Sequence, residues 1–175
     1  MIMAPRLRKF ALTAHVTVSV GWLGAVVCFL ALAVAGLIGE DAQRVRAAYL
    51  AMEFITWFAV LPLALASLLT GVISSLGTAW GLFRHYWVLV KFLLIIFATA
   101  VLLLQVEPIG SMARVAAETS LAGTALGEMR VSLVIHSGGG LLVLLAATVL
   151  AVYKPRGRTR YGRRKQDEQR PAHAS

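Results

Sequence analysis

Four long apolar stretches separated by short polar breaks set the pattern of this chain. The first, residues 10–38, carries no charge and interrupts its hydrocarbon only with Thr13, His15, Thr17 and Ser19. A helix needs about 20 apolar residues to span a bilayer core, so this stretch predicts a transmembrane helix. A polar break over residues 39–48 precedes the second span, 49–76, which has Glu53 near its start and Pro62 inside it. Proline is tolerated in membrane helices, usually as a kink. A hinge at 77–86 holds Trp80, Arg84, His85 and Tyr86, the aromatics reading as interfacial. It leads to a third span, 87–105, which Glu107 and Pro108 are expected to stop. Residues 106–130 read as a long connection, long enough to lie across one mouth of the bundle as an interfacial helix. The fourth span is 131–153. The predicted fold is all-α, an antiparallel four-helix transmembrane bundle.

Within the spans, residues three, four and seven apart share a face. Glu53, Trp57, Val60, Ala64, Ser67, Gly71 and Ser75 form one seam of the second span, with Pro62 on the opposite side. Small residues in that seam permit close helix approach. His15, Ser19, Trp22, Val26 and Phe29 share a stripe on the first span, and His136, Gly140, Val143 and Ala147 share one on the fourth. Gly138, Gly139 and Gly140 in a row are costly in a helix, which predicts close approach there by another helix or a flat ligand.

Composition agrees with a membrane protein: 59% of the 175 residues are apolar and 14% charged, outside the usual range of soluble domains. The net charge of +9 resides at the two ends. Residues 1–9 form a basic N-terminus, 10–153 the membrane domain, and 154–175 a basic tail too poor in apolar residues to fold. A signal peptide is the competing reading of the N-terminus, with Ala33, Val34 and Ala35 as a cleavage site, but the apolar run is too long for one. If both termini share a side with the hinge, that side holds twelve Lys and Arg, and the opposite loops hold four, Arg44, Arg46, Arg114 and Arg130. The positive-inside rule then puts both termini in the cytoplasm. The tail is expected to meet anionic lipid. A protein partner or homo-oligomer is compatible with it, and nucleic acid is disfavoured. Cys28, the single cysteine, excludes an intramolecular disulfide and a cysteine-based metal cluster.

Two polar levels follow from the topology. His15 and Lys91 both fall one to two turns below the cytoplasmic surface, and Glu53, Gln105 and His136 fall near the outer one. An apolar middle separates them. Lys91 either snorkels to the interface or faces the bundle and needs an anionic partner. No carboxylate shares its level, so a porphyrin propionate or a lipid headgroup would serve. His15 and Lys91 are therefore the candidate cofactor-binding residues, with haem b the cofactor an imidazole suggests. His15 and His136 lie too far apart in depth to clamp one iron. Glu53 with His136 and Gln105 forms a candidate outer cluster suited to proton exchange. Its two strong ligands do not close a metal shell, so no metal site is assigned. No catalytic motif is present to assign.

The segments LTGVISSLGTAWGLFRHYWVLVKFLL and IHSGGGLLVLLAATVLAVYKPRG resemble an uncharacterised family of small integral membrane proteins of bacteria, especially actinobacteria, over nearly all of residues 10–157. The resemblance implies a multi-pass protein of the bacterial cytoplasmic membrane. More distantly, His15 followed by Trp22, Leu23 and Gly24, and Trp87 four residues before Lys91, resemble copper resistance protein D and the membrane haem-carrying protoporphyrinogen oxidases. The latter likeness implies functional roles for His15 and Lys91. The favoured expectation is a four-span membrane protein of unassigned biochemical role, such as an accessory subunit. The alternatives are a haem or tetrapyrrole-binding membrane oxidoreductase using His15 and Lys91, and a metal or small-solute transporter. The apolar middle offers the transporter no midplane site.

Overall fold

The computed structural model describes residues 3–77, 83–118, 124–155, 157 and 159–168. Its elements are α1 (Pro5–Ile38), α2 (Ala42–Ile55), a π turn (Thr56–Val60), α3 (Leu61–Leu76), α4 (Tyr86–Glu118), α5 (Thr124–Tyr153) and α6 (Arg160–Glu168). Four rods, Pro5–Ile38, Ala42–Leu76, Tyr86–Glu118 and Gly127–Tyr153, are long and apolar enough to cross a membrane. The protein is all-α among the described residues, as the apolar pattern predicts, and is compatible with a multi-pass membrane protein. Trp80 lies outside the described residues.

Local chemistry fixes the ends of these rods. Asp41 caps α2, its carboxylate accepting from the backbone N–H groups of Gln43 at 2.9 Å and Arg44 at 3.0 Å, which satisfies donors the first helical turn leaves open. Contacts between α1 and the second rod run in reverse order along the two: Ala11 with Ser74, His15 with Thr70, Ser19 with Ser67, Gly36 with Tyr49. At the far end Arg46 donates to the Ala117 carbonyl, joining α2 to α4.

Pro62 shapes the second rod. It has no N–H to give the Phe58 carbonyl, and its ring crowds that carbonyl. The turn just before it is widened, so that the Leu61 N–H reaches back five residues to the Thr56 carbonyl. The wide turn changes which residues face inward. Met52, Thr56, Val60, Ala64 and Ser67 are buried, whereas Trp57 is 50% exposed and Glu53 only half-buried. The expected seam therefore holds from Val60 onward and fails before it.

Two further expectations are corrected. Glu107 and Pro108 do not stop the third span: α4 runs through Pro108 to Glu118, and residues 106–118 extend it instead of forming a separate interfacial connection. Packing explains this, because Ile109, Met112 and Ala116 are buried against Val45, Tyr49 and Met52 of α2, and contacts of this kind override one missing backbone bond. On α5 the buried residues are Leu133, Ser137, Leu144 and Ala147, while His136 is exposed. A Cβ added at Gly138, Gly139 or Gly140 would meet nothing within 4 Å, so no helix of this chain among the described residues approaches these glycines closely.

The tail is folded as far as it is described. Thr159 caps α6, accepting from the Gly162 N–H at 3.0 Å. The Thr159 hydroxyl donates to the Phe83 carbonyl at 2.5 Å and its N–H donates to the Arg84 carbonyl at 3.1 Å. The Gly157 carbonyl accepts from the Tyr86 N–H at 3.4 Å. These are backbone and hydroxyl bonds, which is why a tail without apolar residues can still dock. Residues 169–175 lie outside the described residues. Met3 donates to the Gly77 carbonyl at 3.2 Å, so the chain start, the hinge and the tail meet at one end.

Two buried clusters fill the bundle. Near the hinge end, Trp22, Val26, Val60, Ala64, Ile95, Leu144 and Ala147 pack together. Toward the other end, Phe29, Ala33, Val45, Tyr49, Met52, Ile109, Met112, Ala116 and Leu133 form the second. Gly36 is required here, since a Cβ on it would lie 2.7 Å from the Tyr49 ring. Gly36→Ala is expected to destabilise by about 1–3 kcal/mol through overpacking, whereas Gly138→Ala, facing open space, is expected to be neutral or mildly stabilising. Thermal unfolding of the two variants in the same detergent checks this, and equal melting temperatures would remove the packing account of Gly36.

Candidate functional site

The hinge-end half of the bundle brings three rods together around His15. α1 presents the imidazole nearly three turns into the helix, where α3 offers mainly small and hydroxyl-bearing residues. Gly71 leaves the room: a Cβ there would lie 3.1 Å from the imidazole Cε1. Ser19 and Ser67 bond each other across the same interface at 2.8 Å, holding α1 close to α3 just beyond the ring.

The bond network assigns the protons. Thr70 spends its hydroxyl hydrogen on the Ala66 carbonyl of its own helix, at 2.6 Å, the usual back-bond of a mid-helix threonine. Its oxygen then accepts from His15 Nδ1 at 3.0 Å. That places the imidazole proton on Nδ1 and leaves a lone pair on Nε2. Lys91 Nζ, entering from α4, donates to Nε2 at 3.2 Å. The result is a relay of Lys91, His15, Thr70 and the Ala66 carbonyl that crosses three helices.

These groups line a cavity of about 760 Å³ whose walls are mostly apolar. Trp22, Ile95 and Leu144 form part of its deep wall, and Arg8, Lys9 and Lys154, all exposed, line its rim. The size falls in the range of small-molecule sites, roughly 300–1,000 Å³. No known protein family, curated protein or solved structure matches this chain.

Magnitudes bear on what the site lacks. A lysine at the centre of a membrane helix costs about 2.5–3.5 kcal/mol, an upper bound for Lys91 in the second turn of α4, and a hydrogen bond to a charged group returns about 1.5–3 kcal/mol. The bond to His15 is therefore large enough to offset the cost of placing Lys91 here, and it leaves two ammonium hydrogens to satisfy. Among the described residues no carboxylate bonds Lys91. A ligand anion would complete its shell.

The expected inner pair is thus brought together, and Lys91 turns into the bundle toward His15. The expected outer cluster is not assembled. His136 is exposed and its Nδ1 bonds the Ser132 carbonyl of its own helix at 2.8 Å. Glu53 instead faces α4, where its Oε1 lies 3.5 Å from where a Gly110 Cβ would sit. Arg114, beside it, pairs with Glu107 at 2.7 Å on the surface. No hydrogen bond joins Glu53, Gln105 and His136 among the described residues. The shift of register at the π turn and the inward turn of Ser137 instead of His136 separate them. Thr70 is the site residue that sequence patterning missed. Its signal was the match of His15 and Ser19, four apart, with Thr70 and Ser67, three apart in reverse.

Removal of the two partners of the central bond is expected to have unequal effects. His15→Ala leaves a part-buried ammonium without its acceptor and should destabilise by about 1.5–3 kcal/mol. Lys91→Met removes the charge and keeps the volume, so it should be neutral or stabilising. The double variant should resemble Lys91→Met. A thermodynamic cycle in detergent measures this, and additive effects would show the bond to be energetically idle.

Proposed function

We propose that this chain is a multi-pass protein of the bacterial cytoplasmic membrane, with both ends in the cytoplasm, that binds an apolar molecule carrying an anionic group. The cavity at His15 and Lys91 is the site, and a tetrapyrrole is the ligand class that uses both side chains. The observation that carries this is the meeting of an imidazole lone pair and an ammonium inside an apolar cavity rimmed by Arg8, Lys9 and Lys154.

The residues fit such a group. His15 Nε2 is the one imidazole nitrogen in the cavity whose lone pair the network leaves available, shared only with Lys91. It would hold the iron of a haem. Lys91 and the rim bases suit carboxylate side chains, and the apolar walls suit a macrocycle. A bound haem supplies one-electron redox chemistry. The chain's own part is to orient the ligand, exclude water and hold the imidazole in one tautomer through Thr70. Engagement of Lys91 by a ligand anion would release Nε2 from its present bond. In the distant resemblance to haem-carrying protoporphyrinogen oxidases, His15 and Lys91 are the positions that would carry over.

A second reading is favoured by the same bond: His15 and Lys91 satisfy each other, as a clamp between α1 and α4 in a protein that binds nothing there. Detergent-purified protein from haem-supplemented cells separates the two. The ligand reading expects a Soret band with near-stoichiometric haem. His15→Ala should abolish or shift the band, and Lys91→Met should weaken haem retention about tenfold or more, the loss of one charge-assisted bond. Absence of the band in the unaltered protein, or an unchanged band in both variants, leaves the clamp.

A further inference from the structure

The docked tail makes a second feature that is independent of the cavity. Arg160, Arg163 and Arg164 stand at spacings of three and four on α6, so their side chains share one helical face. All three are exposed. Their direction is set by the opposite side of the helix, where Gly162 is buried against the Arg84 backbone so closely that no Cβ fits. Thr159 fixes the start of the same helix by its cap to Gly162 and its bonds to Phe83 and Arg84. Three arginines are thereby carried on the outer side of a helix pinned at two points.

Like charges at these spacings repel within a helix, so three arginines brought together at its start favour an anionic partner, the acids Asp167 and Glu168 lying at the other end of α6. A fixed array of planar forks matches phosphate oxygens, which accept two parallel bonds from each guanidinium. Around it, Phe83, Tyr86, Tyr153 and Tyr161 are all about half or more exposed, and Arg6, Arg8 and Lys9 are exposed at the same end of the bundle. Aromatic rings among cations at the end of apolar rods are the composition of a membrane–water boundary.

We infer that α6 is a folded binding site for the phosphate of an anionic phospholipid, built by Arg160, Arg163 and Arg164 and held in place by Thr159 and Gly162. This differs from a polybasic tether, which works by charge alone and needs no fold. Release of Thr159 should therefore abolish lipid recognition with every positive charge still present.

The test uses the full chain, delipidated in a non-ionic detergent, with phosphatidylglycerol or cardiolipin added and phosphatidylcholine as the neutral control. The expected result is a rise in Tm of about 3 °C or more with the anionic lipids only. An R160Q, R163Q, R164Q triple variant and Thr159→Val should both lose it, and Thr159→Ser should keep it. A shift of equal size with phosphatidylcholine, or one that survives in Thr159→Val, overturns the proposal in favour of general solvation or diffuse charge. If Thr159→Val fails to fold, trypsin decides on the unaltered chain: protection of the 160–164 segment by anionic lipid supports the site, and cleavage at the same rate with either lipid overturns it.

Discussion

The imidazole of His15 is bonded on both sides, by Thr70 of α3 and Lys91 of α4, and so ties three of the four rods together at one level. In hydrocarbon this matters more than in water, because a polar group that finds no partner inside the protein finds none outside it. Helix association in a membrane has no hydrophobic drive and rests on packing and on such bonds. The inner relay therefore constrains the rotation of α1, α3 and α4 at once. Ser19 with Ser67 repeats the constraint one turn away. The buried hydroxyls of Thr56, Thr99 and Ser137 instead bond the carbonyl four residues back on their own helices. They satisfy themselves and join nothing. The cavity lies beside these polar contacts, with Trp22, Ile95 and Leu144 in its deep wall.

Much of this was legible in the residues. Length and hydropathy sufficed for four spans, and helical spacing placed Trp22, Val26 and Phe29 on the buried face of α1. Depth along the helices brought His15 and Lys91 to one level, which is why their meeting could be anticipated. What the pattern missed has local causes. Spacing arguments assume 3.6 residues per turn throughout, and the wide turn before Pro62 breaks that assumption, exchanging Thr56 for Trp57 on the inner face. Pro108 reads as a stop only where nothing packs beyond it, and α2 packs there. The tail was read by its lack of apolar residues, whereas it docks through Thr159, Gly162 and backbone carbonyls, groups that leave no trace in hydropathy.

The two ends of the bundle differ in chemistry. At the hinge end, bases line the rim of a cavity and the tail crosses the hinge. At the other end the aromatic ring of Tyr49 lies under Arg130, with 5.8 Å between the guanidinium and the ring centroid, and Gly36 fits against its edge. That end is packed with methionine and aromatic side chains, Met52 and Met112 being fully buried. One end holds the cavity and the other is closely packed.

The wide turn at Thr56–Val60 has a mechanical consequence. A helix resists bending through its regular ladder of backbone bonds, and here the ladder skips a rung while Pro62 supplies none. The second rod is thus two stiff levers meeting at a compliant joint. The α2 lever belongs to one buried cluster and the α3 lever to the other. Under the ligand-binding reading, filling the cavity would load α3 on one side of this joint, with α2 and its own cluster on the other.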